Sequence, residues 1–514
     1  MIRDLRFQPF FDKVSLSFCP PDNLQSLRFP IRELSPYLTA DSAEIAARQA
    51  MFRDLLNVRG LYELFAGAGE RLSELTGLVK KLGDIADDSN EAMFYSVMEL
   101  RLFTDTAAYF ADGIRSCEAN SLTSERLRTF FGTIEALSRD PEYAALKDWL
   151  DEVGGKLRRV RSLTLGVNLD AKLDVTEVGL VSINDIPYTT SSVLDRAFRK
   201  EAIPREYECI ASVGIQETGS RTERNNVAFN RAFYDAINQT VRGNFRQLRK
   251  YLNQSVQSGV RSLLALGGDI DLLVRAGAYL RRMKEAGLPL TFPEIAEHTR
   301  ITRLYNPLLI ESLPVKRIVP SDVWFDGSHR LYVLTGPNSG GKSVYLLAVG
   351  IAQILFQSGM PVPAKSAEMK IYRNIEPHFI EQTKKDSESR LVNESVRLRE
   401  ILDKVGAETL LLLDETFSST SAYDARFLAE ALLNHLSSCG CHAVYVTHLH
   451  ELTVRLHEKK QRGEETAIHL LSARVDNGRR TFEIVPYEGG ETMSSMARDI
   501  VIENGLGFLF GENK

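Results

Sequence analysis

Hydrophobic and polar positions change period several times along the chain, and each change predicts a new kind of element. Residues 31–116 are mostly helical in pattern: Asp41-Ser42-Ala43-Glu44 places a capping residue three positions before a carboxylate, and Ile45, Met51, Phe52, Leu55 and Leu56 then recur at roughly helical spacing. Two more helical stretches are expected over about 90–114 and 124–153, long and with few glycines, as suits a bundle or a lever. After Gly155 the pattern shifts to alternating and β-branched residues at 163–167 and 173–183, which predict strands, followed by a polar, turn-rich stretch at 189–226. Residues 160–226 therefore read as an insert between helical halves. Helix resumes near Val227 and lasts to Glu285, where Pro289 and Pro293 mark the exit. From Ile301 onward strands and helices alternate, the mark of an α/β domain. Its apolar runs at 331–334, 408–415 and 443–446 have strand length, and 344–356 has helical length and spacing.

Composition narrows the picture. A chain of 514 residues is too long for one compact core, and two to four domains are expected. Apolar content of 44% with 25% charged residues belongs to a soluble globular protein. The net charge of −5 excludes a general polycation, so any nucleic-acid binding must come from a local patch. One candidate patch is Arg242, Arg246, Arg249 and Lys250, on one helix face with no acidic residue between Val241 and Gly268; the same stripe is equally well a solvated face. Five cysteines suggest a reducing compartment, and Cys439-Gly440-Cys441-His442 reads as a helix-ending glycine between small residues rather than a zinc site. The first ten residues lack the apolar stretch of a secretion signal, and the longest apolar run falls short of the ~20 residues of a membrane span. A cytoplasmic location without a membrane partner is expected.

Chemistry concentrates at 331–345, LYVLTGPNSGGKSVY. Gly336, Gly341, Lys342 and Ser343 fit the phosphate-loop spacing, in which backbone N–H groups wrap phosphates, the lysine reaches the β/γ oxygens and the serine hydroxyl meets Mg²⁺. A strand precedes the loop and a helix comes after it, aiming its positive end at the phosphates. The bland alternative is a glycine-rich turn with a surface lysine. The run at 408–415 ends in two carboxylates: Asp414 would hold Mg²⁺ through water, and Glu415 would orient or deprotonate the attacking water. Two acids at a strand end can be mere surface residues; these come after four leucines. Another strand ends in Thr447-His448, where the imidazole could sense a γ-phosphate or be an ordinary strand-end histidine.

At this level of detail the sequence resembles the MutS-type ATPases of DNA mismatch repair, themselves relatives of the ABC ATPases. The strings that carry the resemblance occur in family order: 335–343, Pro363-Ala364-Lys365-Ser366, the serine-containing signature at 389–394, Asp414-Glu415, the loop at 420–424, Thr447-His448 with Glu451-Leu452, and Ser494-Ser495-Met496-Ala497 with Asn504-Gly505-Leu506. The likeness is strong over about 300–508 and weaker upstream, where 41–56 and 265–307 look like parts of the family's helical core and lever. It implies an α/β P-loop (ABC-like) ATPase domain at 301–514, preceded by a mainly α-helical core/lever domain at 1–300 with a small β-containing insert at about 160–226. It further implies ATP and Mg²⁺ held by Gly336, Pro337, Asn338, Ser339, Gly340, Gly341, Lys342, Ser343 and Val344, with Ser343 and Asp414 toward the metal and Glu415 and His448 catalytic. Ser389 would reach the nucleotide of the opposite subunit of a homodimer, and DNA would be the partner.

The departures are specific. Phe417, Ser418 and Ser419 stand where the family usually has Gly-Arg-Gly, and Ile318 stands where an aromatic ring often stacks on adenine. The family's mismatch-reading domain, with a phenylalanine and a glutamate one residue apart, finds no counterpart; Phe292-Pro293-Glu294 and Phe379-Ile380-Glu381 have that spacing but the wrong location. The expectation is a short MutS-like, ATP-dependent DNA-binding ATPase: a dimeric clamp on distorted or branched DNA in mismatch repair or recombination. Its rivals are an ABC-like switch acting on a ribosome, RNA or protein partner, and a structural protein with a degenerate nucleotide site.

Overall fold

The computed structural model describes residues 38–83, 90–117, 121–158, 161–173, 175–186, 189–190, 208–209, 270, 273–337, 340–379, 387–464, 467–476 and 479–489. Two compact units emerge, one formed by residues 1–57, 123–126 and 275–514, the other by 58–122 and 127–274.

Among the described residues the first unit opens with helix α1 (Ser42–Asn57). As the capping pattern requires, Asp41 Oδ1 accepts from Ala43 N at 2.9 Å. Buried polar side chains then tie α1 to distant chain. Asp54 accepts from Thr123 N, Thr123 Oγ1 and Ser124 N, and Gln49 Nε2 donates to the Pro293 carbonyl at 2.9 Å. Thr39 and Gln357 exchange two bonds, Thr39 N to Gln357 O and Gln357 Nε2 to Thr39 O. A cut at residue 300 thus differs from the observed division, because α1 and residues 123–126 group with the C-terminal half.

The second unit holds α2 (Leu61–Gly83), α3 (Asn90–Ser116), nearly all of α4 (Glu125–Ser138) and α5 (Pro141–Arg158). Phe65, Phe110, Phe130 and Phe131 cluster between α2, α3 and α4 with ring centroids 5.0 to 6.4 Å apart. The single helix expected over 124–153 is two. Asp140 Oδ1 caps the second by accepting from Glu142 N at 2.7 Å and Tyr143 N at 3.1 Å, and Pro141 starts it, where its missing N–H costs nothing. Strands β1 (Ser162–Leu169) and β2 (Val175–Asn184) stand where strands are expected, and they pair as an antiparallel hairpin. Residues 189–190 and 208–209 pair in parallel. The rest of 191–226, the helical stretch from 227 to 269 and its basic stripe at 242–250 lie outside the described residues.

The C-terminal half is α/β. A small sheet of β3 (Glu294–Ile295), β4 (Thr299–Leu304), β5 (Ser321–Phe325) and β7 (Ser366–Met369) has the order β3-β7-β4-β5. The main sheet contains β6 (Leu331–Thr335), β8 (Asn374–Phe379), β9 (Thr409–Asp414), β10 (His442–Val446), β11 (Ile468–Asp476) and β12 (Arg479–Pro486), ordered β8-β9-β10-β6-β11-β12. All neighbours are parallel except β11 and β12. Helices α6 (Lys342–Gln357), α7 (Ser387–Leu402), α8 (Ala422–Cys439) and α9 (His450–Gln461) complete it. Strands β6, β9 and β10 are buried along their whole length, which explains their unbroken apolar runs: a parallel sheet covered on both faces has no solvent side to alternate toward. Leu411, Leu413 and Tyr445 pack with Ala429, Leu433, Leu452 and Leu456 in one core, each fully buried leucine contributing about 1.5–3 kcal/mol relative to exposure. Among the described residues no helix is long and apolar enough to cross a membrane.

Candidate active site

Register brings the chemistry to one edge. Leu334 of β6 is level with Val446 of β10, and Val446 with Asp414 of β9, so three parallel strands finish side by side. The turns leaving their carboxyl ends therefore face the same space.

After β6 the chain turns at Gly336, with φ of +131°; a Cβ there would stand 2.8 Å from Ala473 Cβ and 3.0 Å from Ala473 N of β11. Gly341, at φ +96°, opens α6 in the left-handed region that glycine adopts without strain. The next residue, Lys342, is buried, and its Nζ donates to the carbonyls of Gly336 at 2.7 Å and Pro337 at 3.1 Å. Burial pulls its ammonium below the ordinary lysine range, while the charges of Glu415 and Asp414 pull it back. Ser343 Oγ donates to Asp414 Oδ1 at 3.1 Å. That hydroxyl and carboxylate are hard oxygen donors of the kind Mg²⁺ takes, so the pair fits the implied ion.

Glu415 leaves β9 with φ +52°, unusual for a side chain of its size, and its N–H is held by the Val446 carbonyl at 2.9 Å. His448 Nδ1 stands 3.9 Å from Glu415 Oε1, both side chains partly exposed. Leu449 N donates to Thr447 Oγ1, fixing the turn that carries the histidine.

A cavity of about 620 Å³ opens here. Gly340, Gly341, Lys342, Ser343, Val344 and Glu415 line it, so the loop and one acid share a wall; Asp414 lies behind Ser343, and His448 meets the site through Glu415. Asn338 and Ser339 lie outside the described residues, as does the segment 490–514 with its expected last helix. Ser389 belongs to the first turn of α7, its side chain likewise outside the description.

Two expectations are refined. Ile318 is buried in a cluster with Met283 and Tyr305. An aromatic face comes instead from Phe482 of β12, which lines the cavity, is 48% exposed, has φ +61° and lies within 4 Å of a Cβ built on Gly341. No periodicity singles it out: it is one ring in a polar hairpin strand. Arg317 and Val319 also line the cavity on either side of Ile318. Gly440, for its part, ends α8 at φ +71°, the helix-ending glycine read between Cys439 and Cys441.

Residues 332–485 match the model of MutS domain V. The DNA mismatch repair protein MutS of Exiguobacterium sp. (strain ATCC BAA-1283 / AT1b) is 31% identical over 211 residues, 41% of this chain and 24% of that protein. MutS of Prochlorococcus marinus (strain MIT 9312) is 29% identical over 213 residues, 40% of this chain and 23% of the relative. Endonuclease MutS2 of Bacillus cytotoxicus is 30% identical over 199 residues, 38% of this chain and 24% of that protein. The matched region spans about a quarter of the length of each relative. Residues 332–485 thus carry a MutS domain V, and the C-terminal half of the chain is similar in sequence to MutS and MutS2 proteins.

Proposed function

We propose that this protein is an ATP-hydrolysing switch of the MutS type, built on a P-loop ATPase domain and acting on DNA. The observation that carries the reading is the convergence of Lys342, Ser343, Asp414 and Glu415 at one sheet edge, with Ser343 and Asp414 already in contact. Backbone N–H groups of the loop and the α6 N-terminus would hold the β- and γ-phosphates. Lys342 would exchange the Gly336 and Pro337 carbonyls for phosphate oxygens. Mg²⁺, when bound by Ser343 and Asp414, supplies charge neutralisation on those oxygens. Glu415 would accept a proton from the attacking water, and His448, whose Nδ1 stands 3.9 Å from the Glu415 carboxylate, would sense the γ-phosphate. Phe482 offers a ring on which the base can stack.

A second copy is the partner we assign to α7. Val392 and Val396, one turn apart, are 62% and 56% exposed, and they share that helix with the signature serine Ser389. Two copies meeting there would complete each other's sites through Ser389. The DNA half of the reading rests on the relatives, two named as mismatch-repair proteins and one as an endonuclease of the MutS2 type. Distorted or branched duplexes are the proposed ligand, in mismatch repair or recombination.

The test is ATP turnover and binding with duplex, branched and mismatched DNA at low salt, with sedimentation of the protein with and without ATP. Stimulation by DNA and nucleotide-dependent dimerisation support the reading. Turnover indifferent to every DNA, with no binding, removes the DNA half; a monomer at all nucleotide states removes the dimer.

A further inference from the structure

Glu394 of α7 spends both carboxylate oxygens on the segment just beyond the catalytic acid. Its Oε1 accepts from Phe417 N at 2.6 Å and its Oε2 from Ser419 Oγ at 3.0 Å, across 23 and 25 residues of sequence. The segment needs holding. Glu415 at φ +52° and Phe417 at φ +70° are both left-handed without being glycine, a conformation that L side chains adopt only at a cost. Such a shape persists only where neighbours over-determine it.

The other restraints come from the sheet. Val446 O takes Glu415 N, Tyr445 OH donates to Thr416 O at 3.0 Å, and His378 Nδ1 lies 3.1 Å from Thr416 Oγ1. Glu394 alone, among the described hydrogen bonds to residues 415–419 from elsewhere, reaches in from a helix. The Phe417 ring is buried in the same core as Leu398 and Ile401 of α7, so the helix and the segment share packing as well. The helix is anchored to the sheet by Arg397 Nη1, which donates to the Phe379 carbonyl at 3.3 Å.

We propose that Glu394 is a positioning residue for hydrolysis, fixing residues 415–419 in the shape that presents Glu415 to the nucleotide and making that shape depend on where α7 sits. The proposal rests on the nucleotide reading above and adds its regulation. Because Glu394 lies between Val392 and Val396 in sequence, a copy docking on those valines shifts the helix turn that grips the catalytic segment. Phe417 and Ser419 are the two residues gripped: a non-glycine at φ +70° is tolerated because its N–H is clamped.

The experiment uses the full chain with Glu394→Ala, Glu394→Gln and Ser419→Ala. Alanine leaves the Phe417 N–H without its acceptor. Glutamine can accept from it through Oε1 and donate to Ser419 Oγ through Nε2, so it restores both contacts. Glu394→Ala is expected to lower kcat at least about tenfold while the affinity for a fluorescent ATP analogue stays within about threefold, as misplacement of a catalytic group by an ångström or less predicts. Glu394→Gln recovers most of the rate, and Ser419→Ala loses only part of it. Amide hydrogen exchange of the peptide covering 415–420, measured without nucleotide, is faster in Glu394→Ala and near wild type in Glu394→Gln. Unchanged exchange or unchanged kcat in Glu394→Ala overturns the proposal, and so does parallel loss of rate and affinity. A wild type that ignores ATP overturns the function proposed above and the hydrolytic role of Glu394 with it, while the exchange result separately decides whether the carboxylate holds the segment.

Discussion

The Ser343 hydroxyl donates to Asp414 across 3.1 Å, joining the first turn of α6 to the last residue of β9. Asp414→Asn keeps the shape and removes the charge. In ATP titrations with and without Mg²⁺, wild type is expected to bind more tightly with the ion, and Asp414→Asn to lose that difference. Turnover should fall about 10²-fold or more, the scale of a lost metal contribution of several kcal/mol. Metal dependence equal to that of wild type would show that Asp414 does not serve the ion.

Lys342 already points its ammonium at loop carbonyls, a buried charge waiting on strong acceptors. Lys342→Ala removes a charge-assisted contact worth about 1.5–3 kcal/mol, which predicts roughly 10- to 100-fold weaker ATP binding. Equilibrium binding of a fluorescent ATP analogue measures it, and undiminished affinity would contradict the placement of the phosphates.

Phe482 separates base from phosphate. If its ring stacks on the base, Phe482→Ala should weaken ATP by about 1–3 kcal/mol, the range for base–aromatic stacking, and leave inorganic tripolyphosphate binding unchanged. Equal losses for both ligands would mean that the substitution disturbs the loop beside Gly341 instead.

Acid should destabilise the C-terminal half through His442. Its ring is buried, stacked on Phe325 and 2.6 Å from the Tyr372 hydroxyl, and burial, helped by the Lys370 charge, lowers its pKa to about 4. The unfolded chain takes up this proton near pH 6.5 and the folded one only near pH 4. Between those values the unfolded state binds more protons, so stability falls as pH falls, by about 3 kcal/mol in all for such a shift. Denaturant melts of wild type and His442→Asn between pH 7 and 4 read the slope, which the variant should largely lose.

Legibility in the sequence differs by element. Strands β6, β9 and β10 declare themselves because burial on both faces leaves only apolar residues, and Lys342, Ser343, Asp414 and Glu415 stand at or just beyond the ends of those runs. The break between α4 and α5 carries a local signal, Asp140-Pro141, but helical periodicity running through it conceals the cap. Asp54 and Gln49 cannot announce their partners, which lie 69 and 244 residues away and obey no spacing rule. Phe482 and the partners of Glu394 escape sequence reasoning for the same reason, although Glu394 itself closes the signature at 389–394: a cavity wall supplied by a hairpin, and a carboxylate reaching 23 residues forward, exist only once the sheet has formed.

The central claim is that a triphosphate held by the loop after β6 is split by the acid after β9. Single-turnover hydrolysis of radiolabelled ATP by wild type and Glu415→Gln, with binding measured in parallel, tests it most directly. The account predicts that both proteins retain ATP and that the variant hydrolyses it about 10²–10⁴-fold more slowly, the range of a lost general base. Hydrolysis by Glu415→Gln at the wild-type rate would contradict it.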